Sequence, residues 1–163
     1  MEPQRIPANS TRTMRFSVDV EADPSTAWAL ISDIQRHGEW SPQEFEATKL
    51  DNGPIGVGTR YRTAGRKGVR KGVLRSTDVV VTDFVPTATF GFEAIEHAGT
   101  YRTTFLISPA GTGSSVERIV QPPATGLVPF VRHVLLAPVV RRYVQQNMDA
   151  LKLKLDARDS RRG

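Results

Sequence analysis

The last third of the chain constrains the fold most. From Pro138 to about Arg158, the apolar residues Val140, Val144, Met148, Leu151 and Leu155 recur at spacings of four, four, three and four. That rhythm predicts one long amphipathic helix with a single apolar stripe. At 1.5 Å rise per residue it spans roughly 30 Å, about the width of a small domain. Everything before it reads as strands and turns, so a β-rich body must receive the stripe. A helix of that length laid across a curved sheet can enclose a space, and no strong catalytic motif competes with that geometry as a guide to function.

The strand signals are local and regular. Met14, Phe16, Val18 and Val20 alternate with Arg15, Ser17, Asp19 and Glu21, a period-two strand with one buried face. Asp23 and Pro24 then predict a helix start, as N-cap and first helical residue, with Trp28, Ile31 and Ile34 on its apolar side. A second short helix or turn carries His37 and Trp40, and Gly38 and Pro42 limit it. Six further strands follow. They are Phe45–Leu50, a strand with Val57, Thr59, Tyr61 and Thr63 on one face, Val73–Phe84, the segment of Phe90 and Phe92, the segment of Tyr101 to Ile107, and Ser115–Val120. Short turns join them, which predicts an antiparallel meander.

Composition bounds the rest. The 163 residues suit one domain, and 39% hydrophobic content is enough for a single core. We expect a flexible N-terminal tail over 1–13, one domain over 14–158 and a basic C-terminal tail over 159–163. The polar N-terminus has no secretory pattern, no run of about 20 apolar residues exists, and cysteine is absent. These features predict a cytoplasmic protein without disulfides, thiolate catalysis or cysteine-bound zinc. The net charge of +5 is clustered, around Arg60–Lys71 and along the C-terminal helix. Solvated faces explain such clusters best, so no nucleic acid partner is expected, and transient contact with an anionic membrane is left open.

Several stretches together resemble the START-like, or SRPBCC, helix-grip superfamily, in its bacterial polyketide cyclase/dehydrase group. They are Val18–Pro24 leading to Trp28, Asp33-Ile34 with Trp40 seven residues after Asp33, and Ile55–Thr59. The series continues with Pro86 followed by Phe90 and Phe92, and with Phe105–Pro109 followed by Gly111–Ser114. The resemblance covers about residues 14–158. It implies an α+β helix-grip fold, with a seven-stranded antiparallel sheet wrapped around a long C-terminal helix and two short helices after the first strand. It also implies an internal cavity for apolar or amphipathic small molecules. Members of the superfamily include carriers, receptors and enzymes, so the fold leaves the activity open.

Strand parity picks the residues that face the helix. They are Tyr61, Phe90, Phe92, Tyr101, Thr103 and Phe105 on the sheet, with Tyr143, Val144 and Asn147 on the helix. Rings with a few hydroxyls and an amide suit a largely apolar ligand bearing one or two polar groups. Arg118 shares parity with Val116 and Val120, which puts a cation inside, where it needs a partner that the sequence does not supply. Arg102 and Glu93 face outward as expected ion-pair partners. His37 reads as a surface cap, His97 as a turn residue and His133 as part of the helix approach. No histidine has metal-ligand spacing, and neither a metal nor a cofactor is expected. Between Pro122 and Pro138, prolines interrupt an apolar segment. It reads either as a mobile lid carrying Phe130, Arg132 and His133 or as a plain helix start. The leading expectation is binding or carriage of a lipid, polyketide or isoprenoid. The alternative is a cyclase or dehydratase that moves protons with Tyr or His in the same cavity.

Overall fold

A computed structural model describes residues 13–66, 74–96, 99–123 and 127–159; at 66, 74–75, 127–136 and 159 it describes the backbone alone. The order is β1 (Met14–Val20), α1 (Pro24–Ile31), a 3₁₀ helix (Ile34–Glu39), β2 (Phe45–Lys49), β3 (Arg60–Arg66), β4 (Leu74–Val85), β5 (Thr89–Glu96), β6 (Gly99–Ala110), β7 (Gly113–Gln121) and α2 (Leu127–Asp159). All seven strands form one antiparallel sheet ordered β1-β7-β6-β5-β4-β3-β2. The expected meander therefore runs from β2 to β7, and β1 closes it by pairing with β7.

Local chemistry sets the elements. β1 alternates as its sequence does, with Met14, Phe16 and Val20 buried. Asp23 caps α1: its Oδ1 accepts from the backbone N–H groups of Ser25 and Thr26 at 2.9 and 3.1 Å, while Pro24 occupies the first turn. The hydroxyls of Ser25 and Thr26, then those backbone bonds, hold its carboxyl well below the usual range. Asp33 caps the 3₁₀ helix through Gln35 N–H at 3.0 Å.

The helix stripe packs as expected. Val144, Met148, Leu151 and Leu155 are all buried, and Val140 is half-buried. The backbone of α2 runs closest to β1. Its C-terminal half is pinned by polar contacts as well. Asp156 Oδ1 accepts from Glu21 N–H at 2.8 Å, Lys152 Nζ donates to the Asp19 carbonyl at 2.6 Å, and Arg158 donates to Glu39 at 2.6 Å.

Three expectations need correction. The helix begins at Leu127, not Pro138, and Pro138 sits inside it. Pro129 falls in the first turn, where a missing N–H costs nothing, whereas Pro138 removes one interior hydrogen bond, which the rest of a 33-residue helix tolerates. β3 starts at Arg60, so Val57 belongs to a turn and is 68% exposed. Gly58 there has φ +89°, a conformation that breaks a strand and that glycine adopts without a Cβ clash. Finally, Arg102 and Glu93 do sit opposite each other, but Arg102 pairs with Asp83 at 3.0 Å. A register shift between Val81 and Asp83 places Asp83 opposite Gly91, where its carboxylate fills the space a side chain would need.

Candidate ligand-binding site

The register across the sheet assembles the inward residues into rows. Phe84, Phe90, Phe105, Arg118 and Phe16 are successive partners across β4, β5, β6, β7 and β1. The next row contains Val81, Phe92, Thr103, Val120 and Met14, and the one beyond it Val79, Ala94 and Tyr101. Tyr61 pairs with Val79 and so faces the same side. All the sheet positions assigned inward by parity thus share one face. On α2, Val144 and Asn147 are buried and Tyr143 is half-buried. Asn147 turns its amide to its own helix, donating from Nδ2 to the Tyr143 carbonyl at 2.8 Å.

Burial along this face is uneven. Tyr61, Phe90 and Phe105 have no exposed surface, and Thr103 has very little. Phe92, Ala94, Tyr101, Arg118 and Tyr143 point the same way yet keep partial exposure. The face is therefore sealed in one part and borders solvent-accessible space in another.

His37 is buried, contrary to the surface role read from the sequence. In a 3₁₀ helix, residues three apart eclipse each other, so Ile34, His37 and Trp40 form one inward ridge. All three are buried. The His37 ring lies 5.0 Å from Trp40 and 6.1 to 6.4 Å from Phe45, Phe90, Phe92 and Phe105. Its Nε2 is 2.8 Å from the Ile31 carbonyl. A carbonyl only accepts, so Nε2 carries the hydrogen and Nδ1 is the bare nitrogen of the neutral ring. Burial lowers its pKa to about 4, the Ile31 carbonyl opposes that shift, and the charge of Arg118 adds to it.

Arg118 is where the sequence put it. Its guanidinium carbon stands 5.3 Å from the Phe105 ring centroid. No carboxylate meets it among the described residues, and its Nε is covered and unpartnered. Burial pushes it down to about 10, partly countered by Tyr143, and it stays charged at neutral pH. A cation–π contact is worth about 0.5–2 kcal/mol, whereas the effective desolvation cost of a buried ion is several kcal/mol. The ring alone does not balance the charge. Two more buried donors on this side lack partners, Tyr61 Oη and Trp40 Nε1. Burial, then the nearby Asp33, raises Tyr61 to about 12.

Phe130, Arg132 and His133 lie on the first turns of α2, but their side chains, like His97, fall outside the described residues. Among the described residues no group of His, Asp and Glu side chains is arranged to hold a metal ion. No helix among them is long and apolar enough to cross a membrane.

A family model described as polyketide cyclase/dehydrase and lipid transport matches residues 11–156. No curated protein matches the chain. Solved structures share the architecture at low identity. A Nitrosomonas europaea protein, 8% identical, superposes with a TM-score of 0.73 over 93% of this chain and 99% of its own. A Rhodobacter sphaeroides protein gives 0.70 at 19% identity, over 91% and 95%. The di-domain ARO/CYC StfQ of the steffimycin biosynthetic pathway gives 0.71 at 12% identity, over 91% of this chain and 52% of that one. This chain is thus equivalent to about half of StfQ. At these identities the likeness is one of fold.

Proposed function

The chain belongs to the polyketide cyclase/dehydrase and lipid transport family, and from that premise we propose that it binds a hydrophobic or amphipathic small molecule between the inner sheet face and α2. The observation that carries this reading is the partial exposure of Phe92, Ala94, Tyr101 and Tyr143 on a face whose neighbouring rings are sealed. An apolar surface left open inside a fold gains stability when a ligand removes it from water, by about 25 cal/mol per Å². Lipids, polyketides and isoprenoids fit that description. The first turns of α2, with Phe130, Arg132 and His133, are proposed as the border of the entrance.

A cyclase or dehydratase would use the same space, with His37 and Tyr61 as proton-transfer groups. Efficient acid–base catalysts have pKa values near the working pH. Here His37 is lowered to about 4 and Tyr61 raised to about 12, so both move away from neutrality. Binding and positioning are the roles these residues support better.

The test is a fluorescence titration with N-phenyl-1-naphthylamine, an uncharged apolar probe. Saturable enhancement with one site per chain is expected, and it should weaken in Phe92→Asp. A linear, non-saturating response would overturn the reading.

A further inference from the structure

Most surface cations among the described residues have a carboxylate partner, while Arg141 and Arg142 stand exposed on α2. Arg15 pairs with Glu117, Arg60 with Asp51, Arg62 with Asp78, Arg102 with Asp83, Lys152 with Asp156, and Lys154 and Arg158 with Glu39. Arg118 has no such partner, although it is the one of these side chains set in a row of rings on the inner face. Its position is fixed from both sides of the strand. Phe105 and Phe16 are its lateral partners, and the neutral His37 and the phenol of Tyr143 face it from the 3₁₀ helix and α2. None of these neighbours brings a negative charge. The residue as a whole keeps partial exposure although its Nε is covered, so it is not wholly closed off by the rings beside it.

We propose that the ligand is an apolar acid, and that its single anionic group, a carboxylate, pairs with Arg118 while its apolar body lies along Phe92, Ala94 and Tyr101. This rests on the binding reading above and narrows its ligand class. A guanidinium presents a planar fork that matches a carboxylate with two parallel hydrogen bonds. A desolvated cation without a protein counter-ion is costly until an anion arrives, so the ligand charge supplies what the fold omits. The rings of His37 and Trp40 lie 6.3 and 6.5 Å from the same Phe105 ring, so the surroundings of Arg118 bring no competing anion.

Two acid and ester pairs test this at pH 7.5, cis-parinaric acid with its methyl ester and 1-pyrenebutanoic acid with its methyl ester. For at least one pair the acid should bind the wild-type chain tenfold or more tightly than the ester. Arg118→Gln should reduce the ratio of acid to ester affinity to about one. Arg118→Lys, which keeps the charge and loses the fork, should weaken the acid alone by threefold or more; it decides the matter if Arg118→Gln does not fold. If esters bind as well as acids, or the preference survives in a folded Arg118→Gln protein, the anionic ligand is wrong and apolar binding stands. If neither acid nor ester binds, the binding reading itself fails.

Discussion

The two ends of the inner face are built by the same alternation yet finished differently. Against β1, the C-terminal half of α2 seals its contacts: Val144, Met148, Leu151 and Leu155 are buried, as are Met14, Phe16 and Val20. Hydrogen bonds accepted by Asp156 and donated by Lys152 and Arg158 fasten that half to the chain around it. Around β5 and the start of β6, residues of the same inward parity remain half-covered, and Arg118 on β7, also partly exposed, has no counter-ion among the described residues. The sealed region supplies stability. The open region forgoes burial, and that is where a binding role is economical to place, since filling it requires no rearrangement of the sealed part.

The sharpest way to break this contrast is Leu151→Asp. An unpartnered carboxylate at a fully buried position costs several kcal/mol, comparable with a total stability of about 5–15 kcal/mol. Circular dichroism should show a largely unfolded chain, and a melting temperature within two degrees of wild type would mean that the helix face is not sealed.

A smaller effect is expected from acid. His37 is held neutral with a pKa of about 4 against 6.5 for the unfolded residue. The unfolded chain binds the extra proton first, so stability is lost as pH falls from about 6.5 to about 4, by on the order of 3 kcal/mol. Paired carboxylates such as Glu39, lowered from 4.5, contribute mainly below that window. Denaturant midpoints should therefore drop between pH 7 and 5 in wild type and stay flatter in His37→Phe. Equal slopes for the two proteins would show that the ring is not buried neutral.

The smallest expected effect is the most discriminating. Ala94→Phe adds a ring to the open region and should change stability by less than about 0.5 kcal/mol while blocking the uncharged naphthylamine probe. Val116→Phe adds a ring to the sealed region, where Val116 has no exposed surface, and should cost about 1–3 kcal/mol. Equal costs at the two positions would erase the distinction between the regions.

Where the sequence spoke through periodicity, it was legible. The alternation of β1, the Asp23-Pro24 helix start, the α2 stripe and the inward parity of Arg118 all follow from short-range patterns and match the structure. What it hid depends on geometry that periodicity does not encode. His37 reads as a surface cap because it precedes Gly38 at the end of a helical segment, whereas the 3₁₀ winding, with its spacing of three from Ile34 to Trp40, turns it inward. Asp83 reaches Arg102 because a bulge re-aims one residue, and a bulge leaves no regular signature in the residues around it. The start of β3 was displaced by Gly58, whose positive φ is compatible with several turn types. The open region itself depends on long-range packing of helix against sheet, which no local pattern carries.

The pairing of β1 with β7 has a consequence for how the molecule is made. Strands β2 to β7 each meet a neighbour in sequence, whereas Arg15 and Glu117, matched across the closing pair, are 102 residues apart. During synthesis the first strand therefore emerges long before its partner exists, and α2, which covers its apolar side, comes last of all. Such distant closure slows folding and leaves Met14, Phe16 and Val20 uncovered in the interval. The alternating Arg15, Ser17 and Asp19 then act as a safeguard, because a strand with charges on one face is a poor template for aggregation while it waits.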